Sequence, residues 1–158
     1  MYVEIGMYVC SEITQSLIDI QSGNATYGPD LPMILQGHCL IEIDSETILL
    51  IGGSSYDGRP LKSTWSYNFI KGTWGQASFL RQSRYGHFCG KFKAAYNKTF
   101  AVVVGGQSVA FNGLGLPLST VEILDISTNA TSESWITGPP FSHILKVYIY
   151  LFRVMFFF

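Results

Sequence analysis

Charge is scarce in this chain. Of its 158 residues 13% are Asp, Glu, Lys or Arg, and ten basic against eleven acidic side chains leave a formal net charge of −1. With no basic stripe and no run of like charge, nucleic acid and anionic membrane surfaces have no electrostatic motive to bind, and neither is expected as a partner. Cysteine is rarer still. Cys10, Cys39 and Cys89 are too few for a disulfide framework and lack the CxxC spacing of a zinc site. The apolar run ILKVYIYLFRVMFFF at 144–158 carries Lys146 and Arg153 within its fifteen residues, so no stable membrane span is expected. MYVEIGMYVC at the start has neither the basic n-region nor the continuous apolar h-region of a signal peptide.

Signatures of catalysis are missing too. No GKS, GKT or GxGxxG sequence follows the glycine doublets, and there is no GxSxG elbow. Asp44, Glu46, Asp57, Glu122, Asp125 and Glu133 stand singly, without the paired carboxylates of glycoside hydrolysis. The expectation is a protein that is not an enzyme and needs no cofactor and no metal.

What is present is glycine, aromatics and a repeat. Sixteen glycines and 15% aromatic residues suit a turn-rich all-β chain with strands buried on both faces. One pattern occurs twice, offset by about 50 residues. The first copy holds Gly37 and His38, then ILLIGG at 48–53 with Gly52 and Gly53, then Tyr67 and Trp74. The second holds RYGH at 84–87 with Arg84, Gly86 and His87, then AVVVGG at 101–106 with Gly105 and Gly106, then Leu124 and Trp135. A period of this length marks stacked units, none of which buries its apolar face alone.

Each copy reads as four strands. GHCLIEI at 37–43 and TILLIGG at 47–53 are apolar enough for inner strands, 54–62 has the Gly, Pro and Asp of a surface loop, STWSYNF at 63–69 alternates, and TWGQASF is the outer edge. The second copy repeats the plan with a longer loop at 107–119. A weaker third copy precedes both: SLIDIQSGNATYGPDLP at 16–32 parallels EILDISTNATSESWITGPP at 122–140, and YVEIG at 2–6 reads as its preceding strand.

The double glycine after an aliphatic strand, the aromatic seven positions before tryptophan and the RYGH opening together resemble kelch repeats. The resemblance covers residues 37 to about 140. It implies an all-β, partial kelch-type β-propeller of four-stranded antiparallel blades, not closed within this chain, since a propeller ring takes roughly four to eight blades. The units are 1–33, a partial blade; 34–81 and 82–140, two full blades; and 141–158, a hydrophobic tail that either starts a further blade or is a non-native end. Leu124 stands where the family has an aromatic, its distance to Trp135 is stretched by four residues, and Leu35 replaces the arginine that Arg84 supplies. These departures make the second copy the looser blade.

Recurrence assigns His38 and His87 a structural role, a hydrogen bond to a neighbouring blade, over metal binding. The glycine doublets are expected to serve close backbone packing and an unusual φ at a strand end. Trp74 and Trp135 are expected to fill the gaps between blades. Cys39 and Cys89 have opposite parity on equivalent strands and so can face each other across adjoining blades. Packed sheets lie about 10 Å apart, whereas a disulfide needs Cα atoms within roughly 7 Å. Buried free thiols are the expectation, with a bridge open only near the crowded axis.

Binding falls to the loops between strands two and three: Tyr56, Asp57, Arg59 and Lys62 in one blade, Phe111, Asn112 and Leu114 in the other. The expected function is a non-catalytic protein–protein interaction module, part of a larger propeller, with a protein partner. Two alternatives stand beside it. Kelch proteins include substrate-recognition parts of ubiquitin ligases, and a secreted, glycosylated carbohydrate-binding or enzymatic propeller would account for Asn-x-Thr acceptors at Asn24, Asn97 and Asn129 among only five asparagines. Secreted or luminal and cytoplasmic locations are balanced by the sequence, and open blade edges offer a route to self-association.

Overall fold

The computed structural model describes residues 9–10, 15–18, 25–27, 30–109, 115–127 and 134–139. Every element among them is a β-strand and none is a helix, so none is a helix long and apolar enough to cross a membrane. Two four-stranded antiparallel sheets carry the fold. In the first, β4 (Cys39–Asp44), β5 (Thr47–Ile51), β6 (Thr64–Asn68) and β7 (Thr73–Gln76) lie in sequence order. In the second the order along the chain is β8 (Phe88–Lys93), β9 (Thr99–Val104), β12 (Val121–Asp125) and β13 (Ile136–Thr137). This is the arrangement of a partial blade-type β fold, and no ring closes among the described residues.

Two smaller sheets complete it. β1 (Val9–Cys10), β2 (Gln15–Ile18) and β3 (Ala25–Tyr27) form an antiparallel sheet ahead of the others. The segment 2–6, which reads as a strand in the sequence, lies outside the described residues. Within the connection 107–119, which reads as a plain loop, β10 (Gln107–Val109) pairs with β11 (Gly115–Pro117) as a hairpin.

Strand parity explains the packing. On β5, Leu49 and Ile51 point one way and Ile48 and Leu50 the other, and all four are fully buried. Leu49 and Ile51 join Ile41 against Cys89, Ala101, Val103, Leu124 and Trp135 of the second sheet, so one apolar core fills the space between the sheets. Leu40, Ile48, Leu50 and Tyr67 line the opposite face, closed by Leu31, Leu35, Leu61, Trp65 and Trp74. Each fully buried aliphatic side chain contributes roughly 1.5–3 kcal/mol relative to exposure, which is why a strand buried on both faces shows an unbroken apolar run.

The two tryptophans serve their sheets alike. Trp74 donates its indole N–H to the Asp30 carbonyl at 2.7 Å and Trp135 donates to the Ser78 carbonyl at 3.2 Å, each reaching the chain just ahead of its own sheet. The second blade is looser at its outer edge, where β13 pairs at two positions against four for β7, but not at its core. Leu124 is 0% exposed and Trp135 1%, while Trp74 is only half-buried. The leucine is shorter than the expected aromatic, yet it meets the facing sheet directly.

Candidate functional site

The inner edge is where the two sheets lock together. Gly52 and Gly53 follow β5 with φ of +57° and +96°, the left-handed region that glycine adopts without a Cβ penalty. A Cβ on Gly52 would lie 2.8 Å from both the Arg84 carbonyl oxygen and His87 Cε1, and one on Gly53 would lie 2.9 Å from the Gln36 carbonyl oxygen. Removing both side chains lets backbone meet backbone across the sheets: the Gly53 N–H donates to the Arg84 carbonyl at 2.9 Å, and the Gly86 N–H to the Gly37 carbonyl at 2.7 Å. Gly105 and Gly106 repeat the positive φ in the second sheet, at +65° and +85°.

Beside this edge the side chains of Cys39 and Cys89 form a disulfide, with Cα atoms 6.1 Å apart. This corrects the expectation of free thiols. The 10 Å spacing describes the middle of packed sheets, whereas β4 and β8 are innermost strands that converge at the edge.

Arg84 is 0% exposed and Glu122 2%, and they form an ion pair at 2.7 Å. The guanidinium also donates to the carbonyls of Gly105 (2.8 Å) and Thr120 (3.2 Å) and to Thr120 Oγ1 (3.0 Å), while its Nε makes no hydrogen bond. Glu122 accepts the backbone N–H groups of Arg81 (2.6 Å) and Gln82 (3.0 Å). The pair therefore joins the segment leading into β8 to β12, the third strand of the same sheet. Sequence reasoning missed Glu122 as a partner, although a signal was there. Register places Leu35 where Arg84 stands and Trp65 where Glu122 stands, and both belong to the apolar cluster of the first sheet. The two positions changed character together.

The hydrogen bond to a neighbouring blade expected of each histidine is absent at His38, and at His87 it is reduced to an approach of the ring to the Ile51 carbonyl of the first sheet. Neither ring makes a well-formed hydrogen bond, and the His87 ring, only 8% exposed, has the Ile51 carbonyl as its polar neighbour. Both side chains act by packing. His38 lies on Gly53, and His87 lies on Gly106 and, across the sheets, on Gly52. Burial lowers the basicity of both rings. For His87 it does so to about 3, helped by the Arg84 charge and by His38 and opposed by the Ile51 carbonyl. No group of three or more described His, Cys, Asp or Glu residues is placed to hold a metal ion.

Acid sensitivity follows from this burial. Unfolded, the His87 imidazole takes up a proton near pH 6.5, and folded only near 3. Between those values the unfolded state binds more protons, so stability falls as the solution is acidified. By this linkage His87 alone costs about 3 kcal/mol at pH 4.5, and His38 adds in the same direction. Urea unfolding at pH 7.5 and 4.5 is expected to show that loss in the wild type and a smaller one in H87N. An equal loss in both would refute it.

The connections between second and third strands leave the sheets at the glycine end and form a rim. In the first, Tyr56 is 87% exposed and Asp57 pairs with Arg59 at 3.1 Å, the Arg59 side chain being 83% exposed. The Ser55 hydroxyl holds the Asp57 carboxyl below its usual range, with help from the Arg59 N–H and charge. Backbone bonds from Ser55 to Arg59, Gly58 to Ser55 and Leu61 to Gly53 (2.8–3.0 Å) pin the loop to the sheet. Lys62 is exposed at its foot. In the second connection the Tyr85 hydroxyl donates to the Gln107 side-chain carbonyl at 2.8 Å, and the backbones of the same two residues exchange bonds of 2.9 and 3.0 Å, fixing the base of the β10–β11 hairpin. Phe111, Asn112 and Leu114 lie outside the described residues, as do Asn24 and Asn129.

No family model matches the chain, and no curated protein matches it. The fold is similar to the solved structure of YjhT, with a TM-score of 0.59 and 14% sequence identity over 82% of this chain and 39% of the YjhT chain. The chain thus spans well under half the length of that neighbour, and the likeness shows the fold alone.

Proposed function

We propose that the chain is a kelch-type, non-catalytic protein-interaction module whose partner contacts the rim built by residues 54–62 and the β10–β11 hairpin. The observation that carries this reading is an aromatic and an arginine, 87% and 83% exposed, on a loop pinned by its own hydrogen bonds. Tyr and Arg are the side chains that most often dominate interface energy. Preorganising them removes part of the ordering cost of binding. Several of the described carboxylates are engaged in support: Asp57 with Arg59, Asp125 with Lys98, Glu122 with Arg84. Substrate recognition within a ubiquitin ligase is a special case of this function and rests on family resemblance alone.

The test compares wild type with Y56A/R59A as bait in the same cell extract, followed by isotherms on any purified protein that only the wild type retains. The expected result is a partner whose dissociation constant rises tenfold or more, about 1.4 kcal/mol, in the variant. An affinity unchanged within about twofold would remove the rim from the interface.

A second reading, a secreted glycosylated propeller that binds carbohydrate, is favoured by the Cys39–Cys89 bridge, since such bonds persist mainly in oxidising compartments. A carbohydrate ligand would be bound at the same rim without any protein partner.

A further inference from the structure

We propose that Asn97 is an N-glycosylation site, and that the chain matures in an oxidising, luminal compartment. Three observations carry this. Asn97, Lys98 and Thr99 form the acceptor triplet, in which the third residue must be Ser or Thr. The triplet turns the β8–β9 hairpin. Lys93 pairs with Thr99, the Ala94 N–H donates to the Lys98 carbonyl at 2.7 Å, and Tyr96 and Asn97 at the tip have φ of +56° and +57°. Residues 94–98 are all exposed, Tyr96 at 98%, so a bulky group on Asn97 displaces nothing from the core. The third observation is independent of the triplet. A disulfide joins Cys39 and Cys89, and cytosolic thiols are kept reduced.

Topology puts this turn away from the partner rim. β9 runs from Thr99 at the turn to Val104 beside Gly105, and its six residues span roughly 20 Å. Lys98 pairs with Asp125 at 2.6 Å, and the Thr99 N–H donates to Ser127 Oγ at 2.9 Å. The acceptor turn is therefore held at the end of the second sheet opposite the glycine doublets. A glycan there leaves Tyr56 and Arg59 open.

The chemistry is a group transfer. The Asn97 side-chain amide nitrogen bonds to the anomeric carbon of an oligosaccharide while that carbon's bond to the diphosphate of a polyprenyl carrier breaks. The diphosphate leaves with the electron pair, and the amide proton passes to a base of the transferase. The donor class is a polyprenyl-diphosphate-linked oligosaccharide.

The test uses the native protein captured from the cells that make it, including material retained inside them. Peptide mass spectrometry after a peptide N-glycosidase in heavy-oxygen water marks each formerly glycosylated Asn as labelled Asp. The expected result is most of the Asn97 peptide labelled, with Cys39 and Cys89 protected from alkylation until reduced. N97G, whose glycine accepts the same positive φ, should fold, run at lower mass than wild type and lose the label. Unlabelled Asn97 overturns the site, whatever Asn24 and Asn129 show. Alkylation of both cysteines without reduction overturns the compartment. Neither outcome depends on whether Y56A/R59A weakens a partner, so the two proposals fail separately.

Discussion

Replacing Glu122 with alanine is expected to destabilise the protein by about 3–5 kcal/mol, the cost of leaving a buried charge without its partner. Arg84 would remain 0% exposed with its carboxylate gone, and the N–H groups of Arg81 and Gln82 would lose their acceptor. R84A should cost a similar amount by orphaning the carboxylate. The double variant R84A/E122A should lose clearly less than the sum, because the second substitution removes the group that the first left stranded. Urea midpoints for the four proteins close the cycle, and simple additivity would contradict a coupled pair. The first sheet shows the apolar solution at the same place, with Leu35 and Trp65 packed together. By the same offset Pro32 stands where Arg81 does, and proline has no N–H to satisfy.

Reduction of the Cys39–Cys89 bridge is expected to cost about 4 kcal/mol, from the loop-closure entropy of a sequence separation of 50. The bond ties the innermost strand of one sheet to that of the next, so its loss acts on the stacking of the sheets more than on either sheet alone. C39A/C89A should match the reduced wild type and be indifferent to reductant. A denaturation midpoint that reductant leaves unchanged would contradict a formed bridge.

Much of the architecture is legible in the sequence because the physics is local. Alternation along TWSYN, the unbroken apolar run ILLI and the doublet Gly52–Gly53 each demand a strand or a strand end, and the sheets have those strands. Tertiary context decides the rest. The β10–β11 hairpin is built from residues with little apolar alternation and is anchored by Tyr85, distant in sequence. Free thiols follow from an average sheet spacing, which does not hold where β4 and β8 converge. Hydrogen bonds are expected of the histidines because polar groups are usually paired, yet only His87 approaches a carbonyl, that of Ile51, and both side chains pack on glycines, His38 on Gly53 and His87 on Gly106. Composition and loop position single out the rim residues, and Tyr56 and Arg59 are exposed on a hydrogen-bonded loop. The ion pair of Arg84 and Glu122 is visible only on comparing both repeats position by position.

Amide hydrogen exchange on the protein with and without the partner identified by the bait comparison tests the interaction function most directly. If the rim is the partner site, protection rises at residues 54–62 and at β10 and β11, while the turn at 94–98 is unchanged. Protection confined to that turn, or to the outer strands β7 and β13, would contradict it and place the interface elsewhere.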